Sequence, residues 1–132
     1  MSIDAIGDFL TIIRNGVMVS KSFVTAPYSK MRHSIAQILK NEGFITDFVI
    51  LNADSDAEKK LKVVLKYVDG EAVIHEIQRV SKPGRRVYAG NKEIKPVIGQ
   101  LGISILTTSR GVIANQKAKK LSVGGEVICT VW

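Results

Sequence analysis

The sequence predicts an α+β protein in two domains, an N-terminal helix-strand-helix-hairpin domain over 1–69 packed beside a C-terminal β-rich domain with one short helix over 70–132. Three observations predict it. Apolar residues recur at helical spacing in two early segments and one late one, β-rich runs bounded by turn residues fill most of the rest, and Asp69-Gly70 punctuates the chain between them. A hydrophobic share of 45% over 132 residues is enough for packed cores rather than disorder.

Ile6, Leu10, Ile13 and Val17 are spaced for one helix face, with Ile3 and Phe9 close to it. Asp4 and Asp8 fall in the early turns, where the helix dipole favours acids, so a helix is predicted over 3–19. Residues 23–27 read as a short extended piece. Ser29 is then suited to cap a second helix carrying Ile35, Ile38 and Leu39 and ended by Gly43. The runs 44–51 and 60–67 are β-rich, and Asn52-Ala53-Asp54-Ser55-Asp56 joins them as a hairpin with a longer loop. Asp69-Gly70 is the expected domain boundary.

Beyond it, 72–80 reads as a strand and Pro83-Gly84 as a type II turn, from which Arg85, Arg86 and Tyr88 emerge into the next strand. Lys92-Glu93-Ile94-Lys95-Pro96 opens a short helical or irregular link. Apolar strands follow at 102–106 and 125–131, around a third helix at 114–121 with Ala114, Ala118 and Leu121 inward and Lys117, Lys119 and Lys120 outward. There is no internal repeat or low-complexity tract.

Nineteen Lys and Arg against twelve Asp and Glu give a net charge of +7. Such an excess points to a polyanionic partner, most often nucleic acid, with an anionic membrane surface as the lesser alternative. The excess is uneven: residues 1–66 hold nine basic and seven acidic side chains, a balance of +2, and residues 67–132 hold ten and five, a balance of +5. The second half is the better contact surface. No apolar run approaches the roughly 18 residues that span a bilayer, and Met1-Ser2-Ile3-Asp4 opens with an acid where a secretory signal carries Lys or Arg, so a cytoplasmic protein is expected.

Catalysis is the competing class. Asp4 with Asp8, and Asp54 with Asp56, are the close carboxylate pairs, and helix polarity explains the first while turn chemistry explains the second. His33 and His75 are isolated, no glycine-rich phosphate loop is present, and no Cys/His pair has metal-ligand spacing. Neither a metal nor a cofactor is expected. The single cysteine, Cys129, forms no internal disulfide and sits in an apolar strand, where core packing outweighs nucleophilic chemistry.

The densest chemistry lies in Leu106-Thr107-Thr108-Ser109-Arg110-Gly111-Val112, which sets three neutral hydroxyls beside a cation and a glycine at the end of an apolar run. Hydroxyls donate and accept hydrogen bonds without titrating at neutral pH, and glycine lets another molecule approach the backbone. The pattern suits a polar anionic surface better than a reaction. The competing reading is that Thr and Ser are ordinary strand-end residues capping the turn into the following helix.

These residues also carry a resemblance. The order of blocks Asp4-Ala5-Ile6-Gly7-Asp8-Phe9-Leu10-Thr11 with Ile13-Arg14-Asn15, Glu42-Gly43-Phe44-Ile45, Leu65-Lys66-Tyr67, Arg79-Val80-Ser81-Lys82-Pro83-Gly84 with Arg86 and Tyr88, Leu101-Gly102-Ile103, Thr108-Ser109 with Gly111, and Gly124-Gly125-Glu126 resembles the bacterial ribosomal proteins numbered eight in the small subunit. It covers essentially the whole chain. Ala5 stands where the family usually has proline, and Thr107 where its hydroxyl triplet usually begins with serine.

The resemblance implies a structural constituent of the ribosome that binds the central domain of 16S ribosomal RNA and helps assemble the platform of the 30S subunit. It implies no membrane and no small-molecule substrate, and neighbours among the small-subunit proteins numbered five and twelve. A free translational regulator binding its own messenger RNA is the alternative, and a small RNA-processing enzyme a remoter one. RNA contacts carry over to Thr107, Thr108, Ser109 and Gly111, with Tyr88 and Glu126 on the same side. Glu126 would accept a hydrogen bond from a base or position a nearby hydroxyl; a solvated turn acid is the plain alternative.

Lys82, Arg85, Arg86, Arg110, Lys117, Lys119 and Lys120 would supply sequence-independent phosphate attraction, while the hydroxyls supply register. For the three helix lysines the plain reading is a solvated face near a favourable helix C-terminus. Arg14, Asn15, Ser29, Lys30 and Arg32 form a weaker second patch, with Ser29 more naturally a helix cap.

Overall fold

The computed structural model describes residues 5–52, 59–90, 92, 94 and 101–132. Its described residues divide into two compact units, one within 8–74 and one within 75–132 together with residues 5–7. The architecture is mixed α+β.

Helix α1 (Ala5–Met18) belongs to the first unit from Asp8 onward, and there it buries Phe9, Leu10 and Ile13. Each such side chain removed from water contributes roughly 1.5–3 kcal/mol before entropy is counted. Gly16 lets the helix sit close, because a Cβ there would meet a Val24 methyl at 2.4 Å. Strand β1 (Phe23–Pro27) leads to α2 (Lys30–Asn41), capped by Ser29, whose hydroxyl accepts from Arg32 N at 3.1 Å. The Arg32 side chain is buried, and its guanidinium donates to the Pro27 carbonyl at 2.8 Å. Gly43, at φ +82°, turns the chain into β2 (Ile45–Leu51).

With β3 (Lys60–Leu65), these strands form an antiparallel sheet in the order β1-β3-β2, and the connecting loop at 53–56 lies outside the described residues. Strands β4 (Tyr67–Val68) and β5 (Glu71–Ala72) make a small hairpin whose turn is Asp69-Gly70, at φ +53° and +81°. The expected boundary residues are therefore a tight turn within the first unit.

The single strand expected over 72–80 is interrupted. Its start pairs back onto β4, and only β6 (Ile77–Arg79) joins the second sheet, because the amides of His75 and Glu76 both donate to the Trp132 carbonyl instead. The turn at Pro83-Gly84 is not type II. Lys82 and Arg85 exchange backbone hydrogen bonds across it, but Gly84 lacks the positive φ that type II requires.

Strand β7 (Tyr88–Ala89) follows, then β8 (Ile103–Thr108), β9 (Gly111–Ala114), α3 (Asn115–Lys120) and β10 (Gly125–Val131). The sheet order is β6-β10-β8-β9, with β7 pairing β10 beside β6. Asn115 is buried, and its side-chain oxygen accepts from Ser104 N at 3.2 Å, which extends the β8–β9 ladder by one step. Ile94, Leu106, Ile113 and Ala118 form a core beneath α3. Leu121, expected inward, is 37% exposed because the helix ends at Lys120 and Leu121 is its C-cap. Of the link expected over 92–96, only Lys92 and Ile94 lie within the described residues.

Candidate nucleic-acid interface

Strand register in the second unit assembles residues that are far apart in sequence. Glu126 on β10 lies opposite Tyr88 on β7 and Thr107 on β8, and Thr107 lies opposite Val112 on β9. Tyr88, Glu126, Thr107 and Val112 thus form one row across four strands. Leu106, Ile113 and Val127 pack toward Ala118 of α3. Side chains alternate across a strand, so the row built on Thr107 and Glu126 occupies the face away from α3.

The three hydroxyls have three different environments. Thr108 closes the two-residue turn: its hydroxyl donates to the Gly111 carbonyl at 2.9 Å and accepts from Arg110 N at 3.0 Å. Ser109 is exposed at the tip. Thr107 Oγ1 is buried without a hydrogen-bond partner among the described residues. The turn leads into β9 and not into a helix, but Thr108 does cap it, as the plain alternative expected for a strand-end hydroxyl. Gly111 adopts φ +99°, and a Cβ there would meet nothing within 4 Å, so backbone conformation is what demands glycine at this point.

Glu126 is a strand residue rather than a turn acid. Its Oε2 accepts from the Ser81 hydroxyl and, at 3.1 Å, from Arg86 Nη1. The Ser81 hydroxyl lowers the Glu126 pKa most; burial opposes this, and Arg86 lowers it further. Of the expected roles, positioning a nearby hydroxyl is the one this geometry displays. Ser81 is fully buried and also accepts from Val87 N at 3.2 Å. Cys129, two strand pairs from this row, is fully buried, and burial pushes its thiol up to about 12.

The cations fall into two groups. Lys82, Arg85, Arg86 and Arg110 are exposed on the turn at 82–85, the segment that follows it and the β8–β9 turn, and Tyr88, at the end of the row, is 67% exposed. Lys117, Lys119 and Lys120 are exposed on α3, on the other side of the sheet. The weaker patch belongs to the first unit: Ser29 is the helix cap, Arg32 is buried, and Asn15 and Lys30 are exposed while Arg14 is half-buried.

Sequence reasoning gave no role to two supporting residues, Ser81 and Gly125, which it met only within the blocks of resemblance. Ser81 gave no local signal, since its partner is 45 positions away. Gly125 sits where a Cβ would lie 2.0 Å from the Thr107 carbonyl oxygen, so β10 approaches β8 only because this position has no side chain. Among the described residues, no three His, Cys, Asp or Glu side chains gather as metal ligands, and no helix is long and apolar enough to cross a membrane.

A surface with exposed cations, one exposed aromatic ring and the exposed Ser109 hydroxyl, with Glu126 internally paired, can hold a phosphate backbone and read hydrogen-bonding edges; among the described residues it offers no general base or nucleophile pair. The family model described as Ribosomal protein S8 matches residues 4–132. The chain is 50% identical over 129 residues to the small ribosomal subunit protein uS8 of Marinobacter nauticus, covering 98% of this chain and 97% of that one. It is 47% identical over 132 residues to the uS8 of Rhodopirellula baltica, covering 99% of each, and 50% identical over 128 residues to that of Paraburkholderia xenovorans, covering 97% and 96%.

Proposed function

The chain belongs to the ribosomal protein S8 family, a non-enzymatic family of small-subunit constituents, and from that premise we propose that it binds the central domain of 16S ribosomal RNA and helps assemble the platform of the 30S subunit. The observation that carries this reading is the row Tyr88, Glu126, Thr107 beside the exposed Ser109 tip, flanked by Arg85, Arg86 and Arg110. Folded RNA presents 2′-hydroxyls, phosphates and base edges in a shallow minor groove, and the exposed Tyr88 ring, the Ser109 hydroxyl and the neighbouring arginines supply stacking, hydrogen-bonding and phosphate contacts of the kind such a surface takes.

RNA binding then falls to the unit of residues 75–132, five residues short of the expected domain over 70–132, and the protein works in the cytoplasm within the ribosome. Arg85, Arg86, Arg110 and Lys82 attract phosphates on the row's side, and Lys117, Lys119 and Lys120 extend the field from α3. Asn15 and Lys30 remain as the exposed part of a lesser patch. Small-subunit proteins numbered five and twelve are proposed as neighbours on surfaces not used for RNA. Hydroxyl-radical cleavage of 16S ribosomal RNA, with and without the purified chain, tests the proposal. Protection of one defined central-domain segment is expected; absent or diffuse protection overturns it.

A further inference from the structure

Ser81, Glu126 and Arg86 form a polar chain that ties the segment 82–88 to β10. Backbone bonds frame it: Ser81 N donates to the Val127 carbonyl at 3.1 Å, and Val127 N donates to the Val87 carbonyl at 2.9 Å. Inside that frame the Ser81 hydroxyl accepts from Val87 N and donates to Glu126 Oε2, which also receives Arg86 Nη1. The Glu126 side chain is 19% exposed and that of Arg86 49%. The acid is held in and the cation is held out.

An acid on a surface built for a polyanion repels phosphate, so its presence in the row calls for a compensating role. We propose that Glu126 is a positioning residue for RNA binding: by accepting from Ser81 and Arg86 it fixes the Arg86 guanidinium and the Arg85, Arg86 and Tyr88 segment in one presentation, and it does not itself contact RNA. The inference rests on the reading of this face as an RNA interface. A free arginine loses rotamer freedom when it binds, whereas one already pinned has lost it beforehand. The guanidinium has five N–H donors, so those not used on Glu126 remain for phosphate or base edges.

The sign of one substitution separates this role from simple repulsion. Removing a negative charge beside a polyanion strengthens binding by Coulomb's law alone, whereas releasing Arg86 weakens it. The experiment is filter binding of the purified full chain and its variants to a transcript of the 16S central domain and to a scrambled hairpin of equal length, with heat melts of each variant. Glu126→Gln is expected to bind the cognate transcript about tenfold more weakly, and to add no further weakening in an Arg86→Ala background. Ser81→Ala, which keeps every charge, is expected to weaken binding in the same direction, and it carries the same cycle with Arg86→Ala if Glu126→Gln does not fold. Unchanged or tighter cognate binding by these variants, or weakening that persists in full without Arg86, overturns the positioning role. Failure of the wild-type chain to prefer the cognate transcript instead overturns the RNA-interface reading itself.

Discussion

At the scale of single residues, neighbouring hydroxyls of the same chemical type do different things. Thr108 is committed to its own turn, while Ser109, one position on, is exposed and free of that duty. Ser109→Ala should therefore reduce discrimination between cognate and scrambled RNA, by roughly 1–3 kcal/mol if its partner is left unsatisfied. Lys119→Ala should weaken both RNAs about equally, because a phosphate contact carries no sequence information. An unchanged cognate-to-scrambled ratio for Ser109→Ala would move the recognition site to Arg85, Arg86 and Tyr88. Glu126 gives a second residue-scale prediction. Its carboxyl is held below the ordinary range, chiefly by Ser81, so it binds a proton less readily in the folded chain than in the unfolded one. Its stabilisation is present above the ordinary carboxylate pKa and is lost as pH falls through the lower folded value. Melting curves of wild type and Glu126→Gln should converge as pH is lowered from about 7 to 3, and a constant separation would show that this carboxylate is not linked to folding.

At the scale of elements, two glycines shape the β8–β9–β10 region for different reasons, and their substitutions should differ in size. Gly111→Ala strains a backbone at φ +99° in open space, costing about 1–3 kcal/mol. Gly125→Ala places a methyl against the Thr107 carbonyl, and because that neighbour is backbone, relief comes only by parting β10 from β8. Urea unfolding should show the larger loss for Gly125→Ala; equal losses would mean that the strands separate easily. The same elements show what could be read in advance. The α1 stripe, the Ser29 cap and the β8 and β10 runs were legible because their causes lie within a few residues of each other. The break in the strand expected over 72–80 was not, since it depends on Trp132 accepting two amides from the far end of the chain. Nor was the Ser81 bond to Glu126, which register creates and composition does not announce. The lysines of α3 were correctly read as exposed, but only the sheet's two faces separate them from the Tyr88 row.

At the scale of the whole molecule, charge and register carry separate parts of the account. The +5 balance of residues 67–132 attracts any polyanion, whereas the row on the second sheet, as the proposed recognition site, would discriminate among them. Salt acts on the first and hardly on the second. With on the order of four to six phosphate contacts, raising salt from tens to hundreds of millimolar should weaken binding by a few orders of magnitude. The most direct test is therefore a filter-binding titration across that range, comparing the 16S central-domain transcript with duplex DNA of equal length. The account predicts that both affinities fall with salt while the preference for the transcript persists; equal affinity for the two at every salt concentration would contradict specific recognition and leave only electrostatic attraction.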